Sequence, residues 1–441
     1  MSERAARPTL VKSSLCLLLL LAAHGAARAQ GQPVEEPPRL KRDFGSSLER
    51  LRWDAERKRA VEVAPEGSGR GGGVEGDDDE VVRVETALVV CDVLVLDAKG
   101  RAVRGLKRED FLITEDGRPQ EVGTFAPGDS ANVPRSIVLV IDYSGSMLPF
   151  IENSVEAAKT LVDKMAPRDR MALVTDDVEL LADFTRDKAV LKAKLEGLKR
   201  KATSKGGSPF TRFGRSRQYS ALMATLREMF DEEDTRPIVI FQTDGDELAS
   251  LRDSSVPIFE PPKPPRLSDE EWQAIRAGAW ANRRQFSLAD VLRTAEASRA
   301  TVYTVIPGVR LIGLAPGEEP EKAKALRAAL EKSMRPSGIK GADEFRKVSI
   351  EYTLRHTPPQ QLALFGLSKL TGGWTDFIEE PAQAADVYAR ILSDINQRYV
   401  VGFYPTNKER DGKQRRRVQI EVSGHPEYTV WGRKSYYAPK P

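Results

Sequence analysis

Buried strands alternate with amphipathic helices through the middle of this chain, and that alternation restricts its fold more than any other feature. The run Ser136-Ile137-Val138-Leu139-Val140-Ile141 is almost wholly apolar, as a strand covered on both faces must be. A helix is expected from Leu148 to Met165, with Ile151, Val155, Ala158, Leu161 and Val162 recurring on one face. Strands follow at Met171 to Thr175 and Glu179 to Phe184, then helices over 187–200 and 218–230. The buried strand Ile238 to Phe241, a helix over 287–298 and the strand Thr301 to Ile306 come next. A helix over 359–370, a short strand at Trp374 to Phe377 and a helix over 382–397 complete the series. Strands joined by helices at this spacing predict an α/β fold, a doubly wound and mostly parallel sheet with helices on both faces.

The flanks read differently. Residues 81–127 form a small antiparallel β unit, with turns at Ala98-Lys99-Gly100 and Asp116-Gly117. Three more β segments lie within 399–441, and they are expected to pack with residues 81–127 as one β unit made from both ends of the chain. Residues 30–80 are rich in Pro, Gly, Arg and Glu and contain Gly71-Gly72-Gly73 and Asp77-Asp78-Asp79-Glu80. They read as a disordered linker, with a short helix possible at Phe44 to Arg57. The α/β domain is expected over 134–398, carrying insertions at 249–286 and 309–357. Both insertions leave carboxyl ends of strands, so they should gather at one rim and shape whatever binds there.

The first 29 residues have the layout of a cleaved export signal. Arg4, Arg7 and Lys12 precede the apolar run Leu15 to Ala23, and Ala27-Arg28-Ala29 offers a cleavage site. That run is too short to span ~30 Å of hydrocarbon. This segment accounts for the chain's whole formal charge of +3, so the remainder is near neutral and has no general attraction to nucleic acid or anionic membrane. Cleavage would leave Cys91 as the remaining cysteine, which excludes an internal disulfide; its apolar surroundings make it a buried small hydrophobe.

In a doubly wound sheet, ligands bind at the carboxyl ends of the strands, near the point where strand order reverses. Two polar motifs fall at such ends: Asp142-Tyr143-Ser144-Gly145-Ser146 and Thr243-Asp244-Gly245-Asp246. Oxygen donors without nitrogen or sulfur suit a hard cation such as Mg²⁺. Three histidines in the chain, one in the export segment, leave little for a zinc centre. Neither a phosphate-cradling glycine loop nor a Gly-x-Ser-x-Gly elbow is present. A metal-assisted hydrolase, with Asp246 as its base, is therefore the weaker reading, and no catalytic residue is assigned.

Asp-x-Ser-x-Ser after a buried strand resembles the metal-ion-dependent adhesion site (MIDAS) of von Willebrand factor type A domains. The resemblance implies that the two serine hydroxyls ligate the ion, with a hydroxyl from a second loop and an aspartate after the fourth strand. Carried over, Asp142, Ser144, Ser146 and Asp244 fill the matching positions. Where relatives carry Gly-Thr before the next helix, this chain has Gly214-Arg215-Ser216, so Ser216 is the best match, with Ser208 and Thr211 as rivals. Neutral hydroxyls leave such an ion (Mg²⁺, or Mn²⁺ or Ca²⁺) under-neutralised, so an incoming carboxylate can complete it. The implied role is a secreted adhesion or assembly module that captures an acidic group of a protein partner, or an envelope scaffold with a degenerate site.

The segments Asp97-Ala98-Lys99-Gly100, Asp110-Phe111, Glu115-Asp116-Gly117, Thr371-Gly372-Gly373, Tyr399 to Tyr404, Pro405-Thr406-Asn407 and Tyr436-Tyr437 extend the likeness. They resemble a bacterial family of secreted proteins related to that domain.

Overall fold

Seven central residues, every one buried, make the innermost strand of the molecule. The structure is a computed structural model that describes residues 44–48, 50–54, 59–63, 88–127, 133–203, 216–230, 236–259, 263, 268–273, 286–333, 340–409 and 412–438. The expected export segment lies outside these, as do Ser208 and Thr211.

The chain enters through a hairpin of β1 (Arg50–Asp54) and β2 (Arg59–Val63), where a helix seemed possible. Just before it, Phe44 and Leu48 bury against the α/β core, and the Gly45 amide donates to Glu228 Oε2 at 2.6 Å. This part of the expected linker is thus anchored, because two apolar side chains and a backbone amide find partners far along the chain.

Strands β3 (Val89–Leu96), β4 (Phe111–Glu115), β5 (Arg118–Gln120) and β6 (Val122–Ala126) come next. The α/β layer then begins with β7 (Arg135–Ile141), α1 (Leu148–Asp163), β8 (Arg170–Thr175), β9 (Glu179–Thr185) and α2 (Lys188–Thr203). It continues with α3 (Gln218–Glu228), β10 (Arg236–Gln242), α4 (Leu288–Ala297) and β11 (Thr301–Pro307). It closes with α5 (Glu319–Ser333), α6 (Lys340–Leu370), β12 (Thr375–Ile378) and α7 (Ala384–Gln397).

The six-stranded sheet has the order β12-β11-β10-β7-β8-β9; all neighbours are parallel except β9, which runs antiparallel to β8 along one edge. From β7 the chain winds outward through β8 and β9, then crosses back to β10 and winds the other way. The reversal falls between β7 and β10. Strand periodicity sorts the core into two layers. Ile137, Leu139 and Ile141 face α1, α2 and α7, while Val138 and Val140 face α3, α4 and α6. Each fully buried Leu, Ile or Val contributes about 1.5–3 kcal/mol relative to exposure, which explains why a strand apolar on both faces sits at the centre.

Strands β13 (Tyr399–Phe403), β14 (Arg415–Val422), β15 (Thr429–Trp431) and β16 (Ser435–Tyr437) return to the first β segments. They divide between two four-stranded sheets, β15-β3-β13-β6 and β16-β14-β4-β5, which share one apolar core. The smaller β unit is therefore a sandwich built from both flanks of the α/β layer. Cys91 is buried in it, and burial pushes its thiol up to about 11.

The sandwich meets the amino ends of the sheet strands. Arg236, at the start of β10, pairs with Asp92 at 3.0 Å. Arg398, wholly buried, reaches Asp394 at 2.8 Å and the Gly372 carbonyl at 2.7 Å. Arg433 donates to the carbonyls of Glu296 and Ala300, just before β11. Thr371-Gly372-Gly373 lets backbones touch here: a Cβ on Gly373 would lie 2.0 Å from the Val302 carbonyl oxygen, and one on Gly372 2.6 Å from the Arg433 nitrogen. The carboxyl ends, at the opposite edge of the sheet, carry the polar motifs.

The insertions contain more structure than loops. The first follows on from a short 3-10 turn, Asp246–Ser250, and buries Leu251 and Val256. The second supplies α5 and the first half of α6. They meet where the Tyr352 hydroxyl donates to the Pro257 carbonyl at 2.6 Å and its ring lies 5.0 Å from Phe259.

Candidate metal centre

Two of the polar motifs are held side by side because β7 and β10 are neighbours in register, Ile141 beside Gln242. The Asp142 amide donates to the Gln242 carbonyl at 3.0 Å, extending the ladder by one residue before the chain turns away. Asp142 is buried and its carboxylate is fully engaged: Oδ1 accepts from the Ser144 amide at 2.9 Å, and Oδ2 from Thr243 Oγ1 and Gln218 Nε2, each at 3.0 Å. The Ser144 and Ser146 hydroxyls lie 3.1 Å apart, and Ser146 lies beside the Asp244 carboxylate. Four of the expected residues, Asp142, Ser144, Ser146 and Asp244, thus gather at one place on the rim.

Ser216 joins that group at one remove. Its hydroxyl lies beside the Asp176 carboxylate, its oxygen is sealed from solvent, and it lacks a hydrogen bond of normal geometry. Asp176 stands at the end of β8, where Oδ1 accepts from the Tyr143 amide at 3.1 Å and its carbonyl from the Arg217 amide at 2.8 Å. The turn that holds it contains Val178 at φ 63°, a left-handed conformation costly for a β-branched residue. Motif reading missed Asp176. The available signal was its place at the end of the strand beside β7.

Crowding acidic groups here raises their proton affinity. Burial pushes Asp142 above the usual carboxylate range; burial and then the Asp142 charge push Asp176 well above it. Asp244 is driven well up by burial and by the charges of Asp246 and Asp142. Asp246 is raised to about 7, by the protein packed around it and by Asp142; its side chain still reaches water, which tempers the burial part. Glu247 is buried and also lifted to about 7, despite hydrogen bonds from Ser220 and Tyr219 that pull the other way. A positive charge placed among these groups would relieve both desolvation and repulsion.

Among the described residues, no three His, Cys, Asp or Glu side chains converge to hold a metal. The donor set at the rim is instead hydroxyls with flanking carboxylates, all oxygen, which fits Mg²⁺ or Mn²⁺ better than a softer ion. The His356 ring Nδ1–H donates to the Tyr352 carbonyl on α6 at 2.8 Å, and His425 stacks on Tyr428 in the sandwich.

A doubly wound α/β domain with hydroxyl and carboxylate loops at the switch point defines a class of ligand-binding modules. Residues 137–247 match the von Willebrand factor type A domain, and the chain carries such a domain. No curated protein matches the sequence. Among solved structures, BatB from Bacteroides thetaiotaomicron is similar at 14% identity, covering 59% of this chain and 98% of that one, with a TM-score of 0.30. The vWF domain of the type V pili tip protein Mfa5 from Porphyromonas gingivalis is similar at 16% identity, covering 60% and 95%, also with a TM-score of 0.30. The PilB minor pilin from Streptococcus sanguinis shares 11% identity over 60% of this chain and 61% of its own, at the same score.

Proposed function

We propose that this protein is an exported binding module that captures an acidic group of a protein partner through a divalent cation at the rim. Asp142, Ser144, Ser146, Ser216 and Asp244 would hold Mg²⁺ or Mn²⁺. The carrying observation is the cluster of serine hydroxyls around the buried Asp142 and the half-buried Asp244 at the switch point, with every resolved shift among its acids directed upward. When bound, the ion supplies a Lewis-acidic position that a partner's carboxylate completes. The chain's own residues do the rest: Thr243 and the Ser144 amide fix Asp142, Ser146 steadies Asp244, and the Tyr143 amide steers Asp176 toward Ser216. The reading includes no catalytic step. Export rests on residues 1–29. No helix among the described residues is long and apolar enough to cross a membrane.

The test is a calorimetric titration of Mg²⁺ and Mn²⁺ into the purified protein, beside Asp142→Ala checked for native folding. Saturable one-site binding, lost in the variant, is expected. A folded wild type that takes up neither ion would overturn the cation reading and leave the domain as a scaffold.

A further inference from the structure

One side chain links three of the chain segments that build the rim. Gln218, in the first turn of α3, is wholly buried. Its Nε2 donates to Asp142 Oδ2 at 3.0 Å and also to Asp246 Oδ1. Its Oε1 accepts from the Glu247 amide at 3.1 Å. Both donors and the carbonyl of the amide are therefore in use. The clasp is reciprocal. The Glu247 carboxylate accepts from the amide of Tyr219, from the Ser220 amide at 3.3 Å and from the Ser220 hydroxyl at 3.0 Å. It caps the free amides of an α3 N-terminus that has no cap from its own Arg217 side chain.

We propose that Gln218 is the positioning residue of the cation site, holding the Asp142 loop and the Asp244–Glu247 turn in mutual register without itself touching the ion. The idea deepens the function proposed above and rests on it. The chemistry favours this residue type over its neighbours in size. Two carboxylates that face each other repel, and bridging them takes two donor N–H groups on one side chain. Glutamate would add a third negative group in the same place. Lysine would bridge the pair but neutralise it, competing with the cation. A neutral double donor holds the acids together and leaves their charge for the ion. Methionine matches the length but would leave Asp142 Oδ2 with only Thr243, and Asp246 without its Gln218 donor. Asparagine is one methylene shorter, about 1.5 Å of reach, so it should keep one of the two bridges.

The experiment compares the full chain with Gln218→Met and Gln218→Asn. Each is measured by thermal unfolding, by Mn²⁺ titration, and by amide hydrogen exchange of residues 142–147 and 244–248 in chelator. Gln218→Met is expected to fold but lose roughly 10–100-fold in Mn²⁺ affinity, the usual cost of losing a partner behind a metal ligand. Exchange should accelerate in both turns together even without metal. Gln218→Asn should fall between Gln218→Met and wild type, and it carries the comparison if Gln218→Met does not fold. A folded Gln218→Met that binds Mn²⁺ as tightly as wild type, with both turns equally protected, would reduce Gln218 to core packing and overturn the proposal. If wild type itself binds no Mn²⁺, the cation reading fails separately. Exchange in chelator then decides the clasp alone: joint loss of protection supports it, and unchanged protection in either turn refutes it.

Discussion

Glu247 illustrates how the rim trades stability against readiness for charge. Its carboxyl, like those of Asp142, Asp176 and Asp244, binds its proton more tightly in the folded protein than in an unfolded chain. A raised folded pKa means that the native state holds more protons between the unfolded value, near 4, and the folded one, about 7 for Glu247. Over that window stability must fall as pH rises. A cation reverses the sign, because it favours the ionised groups. In chelator, the melting temperature is therefore expected to drop from pH 5 to pH 7.5, by roughly 2–4 °C for each kcal/mol lost. Millimolar Mg²⁺ should flatten the slope, as scanning calorimetry at both pH values would show. A chelated protein that gains stability over this range would contradict the crowding argument. The candidate-site residues that the sequence marked were those in contiguous motifs at strand ends, Asp142, Ser144, Ser146 and Asp244, with Ser216 added from the third loop by resemblance. Asp176 and Gln218 act through bonds to residues far away in sequence, and no local pattern marks them.

At the scale of elements, the sequence misled at Pro358-Pro359. Two prolines ordinarily mark a helix boundary, and the helix was expected over 359–370; instead α6 runs unbroken from Lys340 to Leu370. Proline cannot donate to the preceding turn, so Pro358 and Pro359 offer no N–H to the carbonyls of Leu354 and Arg355. Tertiary packing sustains the helix, with Ile350, Leu364 and Leu367 buried. This helix bears directly on the rim. Gly245 takes φ 75°, a conformation that favours glycine, and the space beside its Cα is filled by Leu364, 3.0 Å from where a Cβ would stand. Leu364→Ala is expected to cost about 2–5 kcal/mol in a denaturant titration and to weaken Mn²⁺ binding, since the Asp244–Glu247 turn loses its support. Should the variant lose stability but keep wild-type affinity, the turn would be held by its hydrogen bonds alone, and α6 would have no hand in the site.

For the whole molecule, the strand–helix alternation was readable because a parallel sheet buried on both faces leaves continuous apolar strands, and β7 and β10 have them. That both flanks join in one β unit was also readable from their texture. Their division into two sheets was not, because β13 sits between β3 and β6 while β14 pairs with β4, choices set by partners distant in sequence. The joint between sandwich and α/β layer was invisible for the same reason: it is made of guanidinium groups that look like solvated charge in the sequence. Arg236 and Asp92 are 3% and 7% exposed at their side chains, so removing one partner strands the other in a low-dielectric setting. Asp92→Ala leaves Arg236 with the Ile395 carbonyl at 3.0 Å and no carboxylate. The expected loss is about 3–5 kcal/mol. Because the break falls at the joint, the two layers should uncouple, turning one calorimetric transition into a broadened or split one. Mn²⁺ affinity at the opposite edge of the sheet should stay at the wild-type value below the first transition. A single, unshifted transition would mean that apolar contacts and the chain crossings alone unite the two layers, and that the buried pair sets only their orientation.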